Sequence, residues 1–179
     1  MEDGAGSYRR FLDGEESAFD EVQKLYFDRL TFYINRFTHN LYDAEDLAVD
    51  VLLELLIHPN RYNFRTPLKA YLFAIAHNKA LNFLRKRDRF RMVPVDEAEE
   101  LADRTSLEEE LLLDERKRAL ERELAELPAE MCEAVHLVFF EGLSYAEAAR
   151  VMHKNRKQID NLLTRAKAAL RTNLGKDGV

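Results

Sequence analysis

Residues 144–170 read "SYAEAARVMHKNRKQIDNLLTRAKAAL". Ser144 and Glu147 have the spacing of a capping box, and so do Asn155 and Gln158 about ten residues further on. Two short helices meeting at His153-Lys154 have the proportions of a helix-turn-helix. In the second helix Ile159, Leu162, Leu163, Ala166 and Leu170 recur at helical spacing and predict a buried stripe. Arg156, Lys157, Gln158, Asp160, Asn161, Thr164 and Arg165 are then left facing outward. Arg, Gln and Asn near a helix N-terminus are the side chains that pair bidentately with guanine and adenine edges in the major groove. The simpler alternative is a helical hairpin with a solvated charged face. His153 sits where a glycine would best accept a left-handed backbone, although histidine is among the residues enriched there.

A DNA-reading element is at odds with the formal net charge of -6 carried by the 179 residues. Dividing the chain resolves the conflict. The segment 8–92 and the segment from Pro128 onward each carry a net +2, while 93–127 carries -8. The acid is concentrated in the middle. There "VPVDEAEELADRTS", residues 93–106, loses all helical periodicity and reads as an acidic, flexible linker. Its 14 or so residues reach about 45 Å at most when extended.

On either side the pattern is helical. Hydrophobic residues make up 46% of the chain, with only 6 Gly and 4 Pro, and alternating β-branched runs are scarce. The fold class expected is all-α: two small helical domains, 8–92 and 107–174, with the helix-turn-helix in the second. Ser17 with Asp20 marks a helix start, and apolar residues from Phe19 to Phe37 carry that helix to His39-Asn40. Asp43 with Asp46 reads as the cap of the next helix, with Tyr42 stapled on Leu47, ending at His58-Pro59. Thr66-Pro67 opens a long helix to about Arg89. Ser106 caps a helix carrying Leu111, Leu112, Leu120, Leu124 and Leu127, and another helix runs from Pro128 to Gly142.

Two of these helices carry unusual faces. Asp46, Asp50 and Glu54 fall on one face at i, i+4, i+8, beside inward-turned Leu47, Val51 and Leu55. Like charges at that spacing are destabilising, which points to a basic partner surface. In the long helix the stripe Leu68, Leu72, Ala76, Ala80 and Phe83/Leu84 adjoins another made of Tyr71, Ile75, Asn78, Lys79, Asn82, Arg85 and Lys86. No acid occurs between Lys69 and Arg87. With the aromatic loop Tyr62-Asn63-Phe64 before it, this face suits phosphate contacts and exposed bases. A basic helix end favoured by the macrodipole accounts for Arg85–Arg91 but not for Asn78, Lys79 and Asn82.

Other chemistry finds little support. Cys132 is the only cysteine, which excludes an internal disulfide, fits a reducing cytoplasm, and reads as core filler. The first ten residues lack the charge and apolar run of a signal peptide. No stretch has the length and apolarity of a membrane span. No histidine, cysteine or acid arrangement has nucleophile-base or metal-ligand spacing, and no glycine-rich phosphate loop is present. Neither an enzyme nor a cofactor, metal site or small-molecule substrate is expected.

In this order "YDAEDLAVDVLLELL" (42–56), "FRTPLKAYLFAIAHNKALNFLRKR" (64–87), and "LPAEMCEAVHLVFFEGLSYAEAARVM" with "IDNLLTRAKAALR" (127–171) resemble a bacterial sigma factor of the extracytoplasmic-function (ECF) group. The likeness covers about residues 8–174. It implies core RNA polymerase and promoter DNA as partners, with an anti-sigma factor as a further one. Residues 8–92 would be region 2 and 107–174 region 4. Asp43, Asp46, Asp50 and Glu54 would dock on the polymerase. Asn60, Arg61, Tyr62, Asn63 and Phe64 would hold a flipped base of the -10 element. Tyr71, Asn78, Lys79, Asn82, Arg85 and Lys86 would line the same strand. Arg156, Lys157, Gln158, Asn161, Thr164 and Arg165 would read the -35 element. The acidic linker would thread the polymerase's RNA exit path. The chain departs from the family's habit at Tyr71 (usually Trp), Asn82 (commonly Asp) and His153 (usually Gly), and Asp160-Asn161-Leu162 replaces a more basic run. A stand-alone helix-turn-helix regulator, or an adaptor without a DNA role, would leave the acid-free helix and the linker unexplained.

Overall fold

The computed structural model describes residues 3–91 and 115–177. The expected linker at 93–106, the cap at Ser106, and Leu111 and Leu112 lie outside the described residues. The chain forms two compact units, and among the described residues all regular structure is helical.

The first unit contains α1 (Ala5–Leu12), α2 (Ala18–Thr38), α3 (Leu41–Ile57), a 3-10 turn at Pro59–Arg61, and α4 (Leu68–Arg91). The long α2 packs against α1, α3 and α4, and α3 packs against α4. The side chains that sequence periodicity turns inward meet at the centre: Tyr26, Leu30, Tyr33 and Ile34 of α2, Val51 and Leu55 of α3, and Leu68, Leu72 and Ala76 of α4 are buried, and Phe73 of α4 joins them. Fully burying a large apolar side chain contributes about 1.5–3 kcal/mol.

The first unit differs from expectation in several features. The first of these is α1, which places Tyr8 in the core with its hydroxyl donating to the Leu55 carbonyl at 2.8 Å. Second, Ser17 sits in helical backbone geometry and makes no side-chain cap bond. Third, Asn40, not Asp43, caps α3: its Oδ1 accepts the Asp43 N–H at 3.1 Å, so Asp43 stands in the first turn. His39 enables this by closing α2 in a left-handed conformation, φ +50°. Tyr42, the expected staple, is 74% exposed.

The second unit contains α5 (Glu115–Ala125), α6 (Ala129–Val135), α7 (Tyr145–Val151) and α8 (Arg156–Asp177). Helix α6 runs into a π turn, His136–Phe140, which ends where the Glu141 N–H bonds the His136 carbonyl at 3.0 Å. Gly142, φ +70°, then reverses the chain into α7. Leu124, Leu127, Met131, Leu137, Val151, Ile159, Leu163 and Ala166 fill this core. Cys132 is half-buried.

Candidate polymerase-docking and nucleic-acid surfaces

Helix α3 presents Asp46 and Asp50 to solvent while Ala44, Ala48, Val51 and Leu55 face the core. Sequence periodicity did not single out their neighbours: Val49, Leu53, Leu56 and Ile57 are also exposed. The outer face of α3 is therefore mixed, acidic and apolar together. Glu54 behaves differently from the aspartates. Its Oε1 lies 3.5 Å from Lys79 Nζ on α4, and its Oε2 lies 3.3 Å from an Arg61 guanidinium nitrogen and 3.9 Å from His58 Nε2. Its charge is turned toward the loop and α4.

The aromatic loop is held from beneath. Tyr62 is only 5% exposed, with its hydroxyl donating to the Thr66 carbonyl at 2.7 Å and its ring 5.0 Å from Tyr71. Tyr62, one of the residues expected at the flipped base, thus supports the loop from beneath, with its ring turned away from solvent. Phe64 is the ring nearer the surface. It stands 4.6 Å from Tyr62 and 6.1 Å from Tyr8, and its backbone adopts φ +58°. Left-handed geometry in a phenylalanine is strained, and the surrounding rings hold it there. The Arg9 guanidinium of α1 covers Phe64, 4.5 Å from the ring centroid. Sequence reading missed Arg9 because α1 itself went unread. Asn60, Arg61, Asn63 and Arg65 are exposed around this ring.

Behind the loop the start of α4 is fixed by a remote residue. Asp3 accepts the Leu68 N–H at 2.8 Å through Oδ2 and the Ala5 N–H at 3.1 Å through Oδ1, and its carbonyl accepts the Tyr26 hydroxyl. One carboxylate thus serves the N-termini of α1 and α4, where the macrodipole favours negative charge. Along α4, Asn78, Asn82, Arg85 and Lys86 are exposed, while Tyr71 and Lys79 are half-buried. Arg85 donates to Asn82 Oδ1 at 3.3 Å. Burial raises the Tyr71 hydroxyl pKa, Glu54 adds to the rise and Arg61 opposes it. Tyr62 is pushed up to about 12, chiefly by burial.

In the second unit both capping boxes form. Ser144 Oγ accepts the Glu147 N–H at 3.2 Å, and the Glu147 carboxylate accepts the Ser144 N–H at 2.8 Å. Asn155 Oδ1 accepts the Gln158 N–H at 2.9 Å, and Gln158 Oε1 accepts the Asn155 N–H at 2.8 Å. His153 takes the left-handed turn at φ +54°. Lys154 is tied to Glu130 at 2.8 Å, anchoring the turn on α6. Ile159, Leu162, Leu163 and Ala166 are buried. Arg156, Lys157, Gln158, Asn161, Thr164 and Arg165 all lie on the exposed face of α8. Gln158 carries a qualification: its carbonyl oxygen is engaged in the cap, so bidentate pairing with adenine would share or break that bond. Midway along α8, Lys167 lies 5.2 Å from the centroid of exposed Phe139.

Residues 9–90 match the family described as Sigma-70 region 2, and residues 117–170 match Sigma-70, region 4. The chain is 25% identical over 161 residues to RNA polymerase sigma factor YlaC of Bacillus subtilis strain 168, covering 89% of this chain and 93% of that protein. It is 25% identical over 152 residues to ECF RNA polymerase sigma factor SigM of the same strain, covering 85% and 92%. Its fold is similar to that of sigma factor RpoE from Bartonella quintana, solved with the anti-sigma factor NepR. There the TM-score is 0.66 at 24% identity, over 89% of this chain and 98% of that one.

Proposed function

The chain belongs to the sigma-70 family as an ECF sigma factor, and from that membership we propose how its surfaces divide the work of starting transcription. The protein is an alternative sigma factor that binds core RNA polymerase and directs promoter-specific initiation. The observation that carries this is the presence of region 2 and region 4, in that order, on two separate helical units of one chain. Residues 8–92 act as the core-docking and -10 domain, 93–106 as the acidic linker, and 107–174 as the -35 domain.

Asp43, Asp46 and Asp50 dock on a basic polymerase surface, and Val49, Leu53, Leu56 and Ile57 supply the apolar area beside them. Mixed faces of this kind gain affinity from the apolar centre and orientation from the charges. On the DNA side, Phe64 offers the ring on which an unstacked base is held, while Asn60, Arg61, Asn63 and the polar face of α4 take the strand around it. Asn78, Lys79, Asn82, Arg85 and Lys86 line the path, and Tyr71 backs it. The α8 face reads the -35 duplex through Arg156, Lys157, Asn161, Thr164 and Arg165, with Gln158 at its edge.

Initiation needs no chemistry from this chain, so we assign it no catalytic group, cofactor or metal. Its place is the cytoplasm, with the polymerase. An anti-sigma factor is a further partner, a role supported by the RpoE–NepR complex. The test is promoter-specific run-off transcription by core polymerase plus the purified protein. A stand-alone regulator would give transcripts only when another sigma factor is added. Charge reversal, Asp46→Lys with Asp50→Lys, should abolish co-purification with core enzyme while far-ultraviolet circular dichroism stays unchanged. Retained co-purification would rule out this docking face.

A further inference from the structure

Glu54 stands on α3 but turns away from the neighbours with which it shares a helical face. Each carboxylate oxygen meets a cation from a different element: Oε1 faces Lys79 of α4 at 3.5 Å, and Oε2 faces Arg61 of the turn after α3 at 3.3 Å. His58 adds an imidazole 3.9 Å from Oε2. The side chains of Glu54 and Lys79 are each about three-quarters buried, while Arg61 is mostly exposed. The cluster thus sits at the seam between the α3 docking face and the -10 surface.

A carboxylate and a phosphate diester are the same kind of ligand to a guanidinium or an ammonium: anionic oxygens that accept charge-assisted hydrogen bonds. Two cations that share one internal anion are half-neutralised before any DNA arrives. A strand offering only phosphates must displace Glu54 with nothing else to gain. A strand that also places a base on Phe64 has a second source of binding energy for the exchange. Specificity is a difference of affinities, and weakening the indiscriminate one raises it.

We infer that Glu54 is a specificity-determining residue for promoter engagement, an internal stand-in for a DNA phosphate on Arg61 and Lys79, and not a polymerase contact. This rests on the reading that Arg61 and Lys79 face the -10 strand. Glu54 acts through those two side chains and touches neither base nor polymerase.

The experiment uses the full chain, free and bound to core polymerase, with Glu54→Gln, which keeps the size and removes the charge. Glu45→Gln on the same helix controls for net charge. Fluorescence anisotropy is read on a single strand from a promoter established by run-off, and on the same strand with its -10 segment scrambled, across a salt series. In Glu54→Gln the affinity for the scrambled strand should rise at least threefold. The salt slope should steepen by about 0.7 for each phosphate newly neutralised on a single strand. The ratio of matched to scrambled affinity should fall, and core affinity should stay at the parent value. The gain should vanish when Arg61→Gln and Lys79→Gln are added.

Loss of core affinity in Glu54→Gln with DNA binding unchanged would make it a docking contact and overturn the inference. A gain no larger than that of Glu45→Gln would overturn it too. If Arg61→Gln with Lys79→Gln weakens strand binding in the parent while Glu54→Gln behaves like the control, the inference falls and the DNA-facing reading stands. If that pair has no effect on strand binding, both fall.

Discussion

Phe64 keeps a left-handed backbone at φ +58°, a conformation that costs a non-glycine residue about 1–3 kcal/mol. The aromatic contacts with Tyr62 and Tyr8 and the Arg9 guanidinium above the ring offset that cost. Phe64→Gly would remove the strain together with the ring. The variant should fold with little loss of thermal stability yet fail to open the -10 segment, as read by 2-aminopurine fluorescence in that strand. Normal opening would show that the ring has no part in strand capture. Tyr62→Phe tests the opposite role two residues earlier. Losing the bond to the Thr66 carbonyl should cost about 1 kcal/mol in denaturant unfolding, with opening intact. The aromatic character of this loop was legible in the sequence. The division of labour inside it was not, because burial of Tyr62 depends on Tyr8 and Tyr71, which belong to other elements. Glu54 was hidden in the same way. Its i, i+4 relation to Asp50 is a property of α3, but its partners are set by how α4 and the turn pack beside that helix.

Helix boundaries show what a local pattern can and cannot reveal. In Ser144/Glu147 and Asn155/Gln158 the sequence and the hydrogen bonds agree, whereas Ser17/Asp20, at the same spacing, forms no side-chain cap bond. Where two polar residues compete, as Asn40 and Asp43 do, the outcome depends on how α2 terminates. The Asp3 cap on Leu68 joins residues 65 apart in sequence, and no short window contains it. The cap of α8 has a functional consequence. Gln158→Ala removes the acceptor of the Asn155 N–H, which should cost about 0.5–1.5 kcal/mol of stability and weaken all promoters alike. Arg156→Ala, whose side chain stands exposed at the first helical position, should relax one -35 position by about 1–3 kcal/mol. Binding to duplexes substituted at each -35 position separates the two. Altered preference in Gln158→Ala alone would reverse these roles.

Helix α1 is held to α2 by a pH-sensitive contact. The Glu21 carboxylate accepts the Ser7 hydroxyl at 2.6 Å and pairs with Arg10, and these bonds depress its pKa below the ordinary 4.5. A depressed folded-state value means stabilisation that is present above 4.5 and lost as the pH falls through the lower value. Hydrogen exchange in α1, corrected for intrinsic rates, should therefore quicken selectively on acidification below the carboxylate range. Glu21→Gln should show the quicker exchange already at neutral pH. Equal pH response in parent and variant would mean that this contact does not hold α1.

On the scale of the whole molecule, charge is sorted by segment: two mildly basic flanks around a stretch that carries -8 between residues 93 and 127. Being covalently joined to both units, that acid is present near their basic faces at an effective concentration around millimolar. If it competes there with DNA phosphates, the linker would do at long range what Glu54 does at short range for Arg61 and Lys79. Core polymerase, by drawing the acidic segment onto a basic surface of its own, would free both faces together and couple docking to promoter binding. The free chain should therefore bind promoter duplex more weakly than its better fragment, residues 1–92 or 106–179, in anisotropy at matched low salt. Neutralising the acids of 93–106 to amides should restore the intact chain to the fragment's affinity. The difference should shrink as salt is raised, because the competition is between charges screened over about 10 Å at 0.1 M. An intact chain that binds as tightly as either fragment without polymerase would leave Glu54, and not the linker, as the source of restraint.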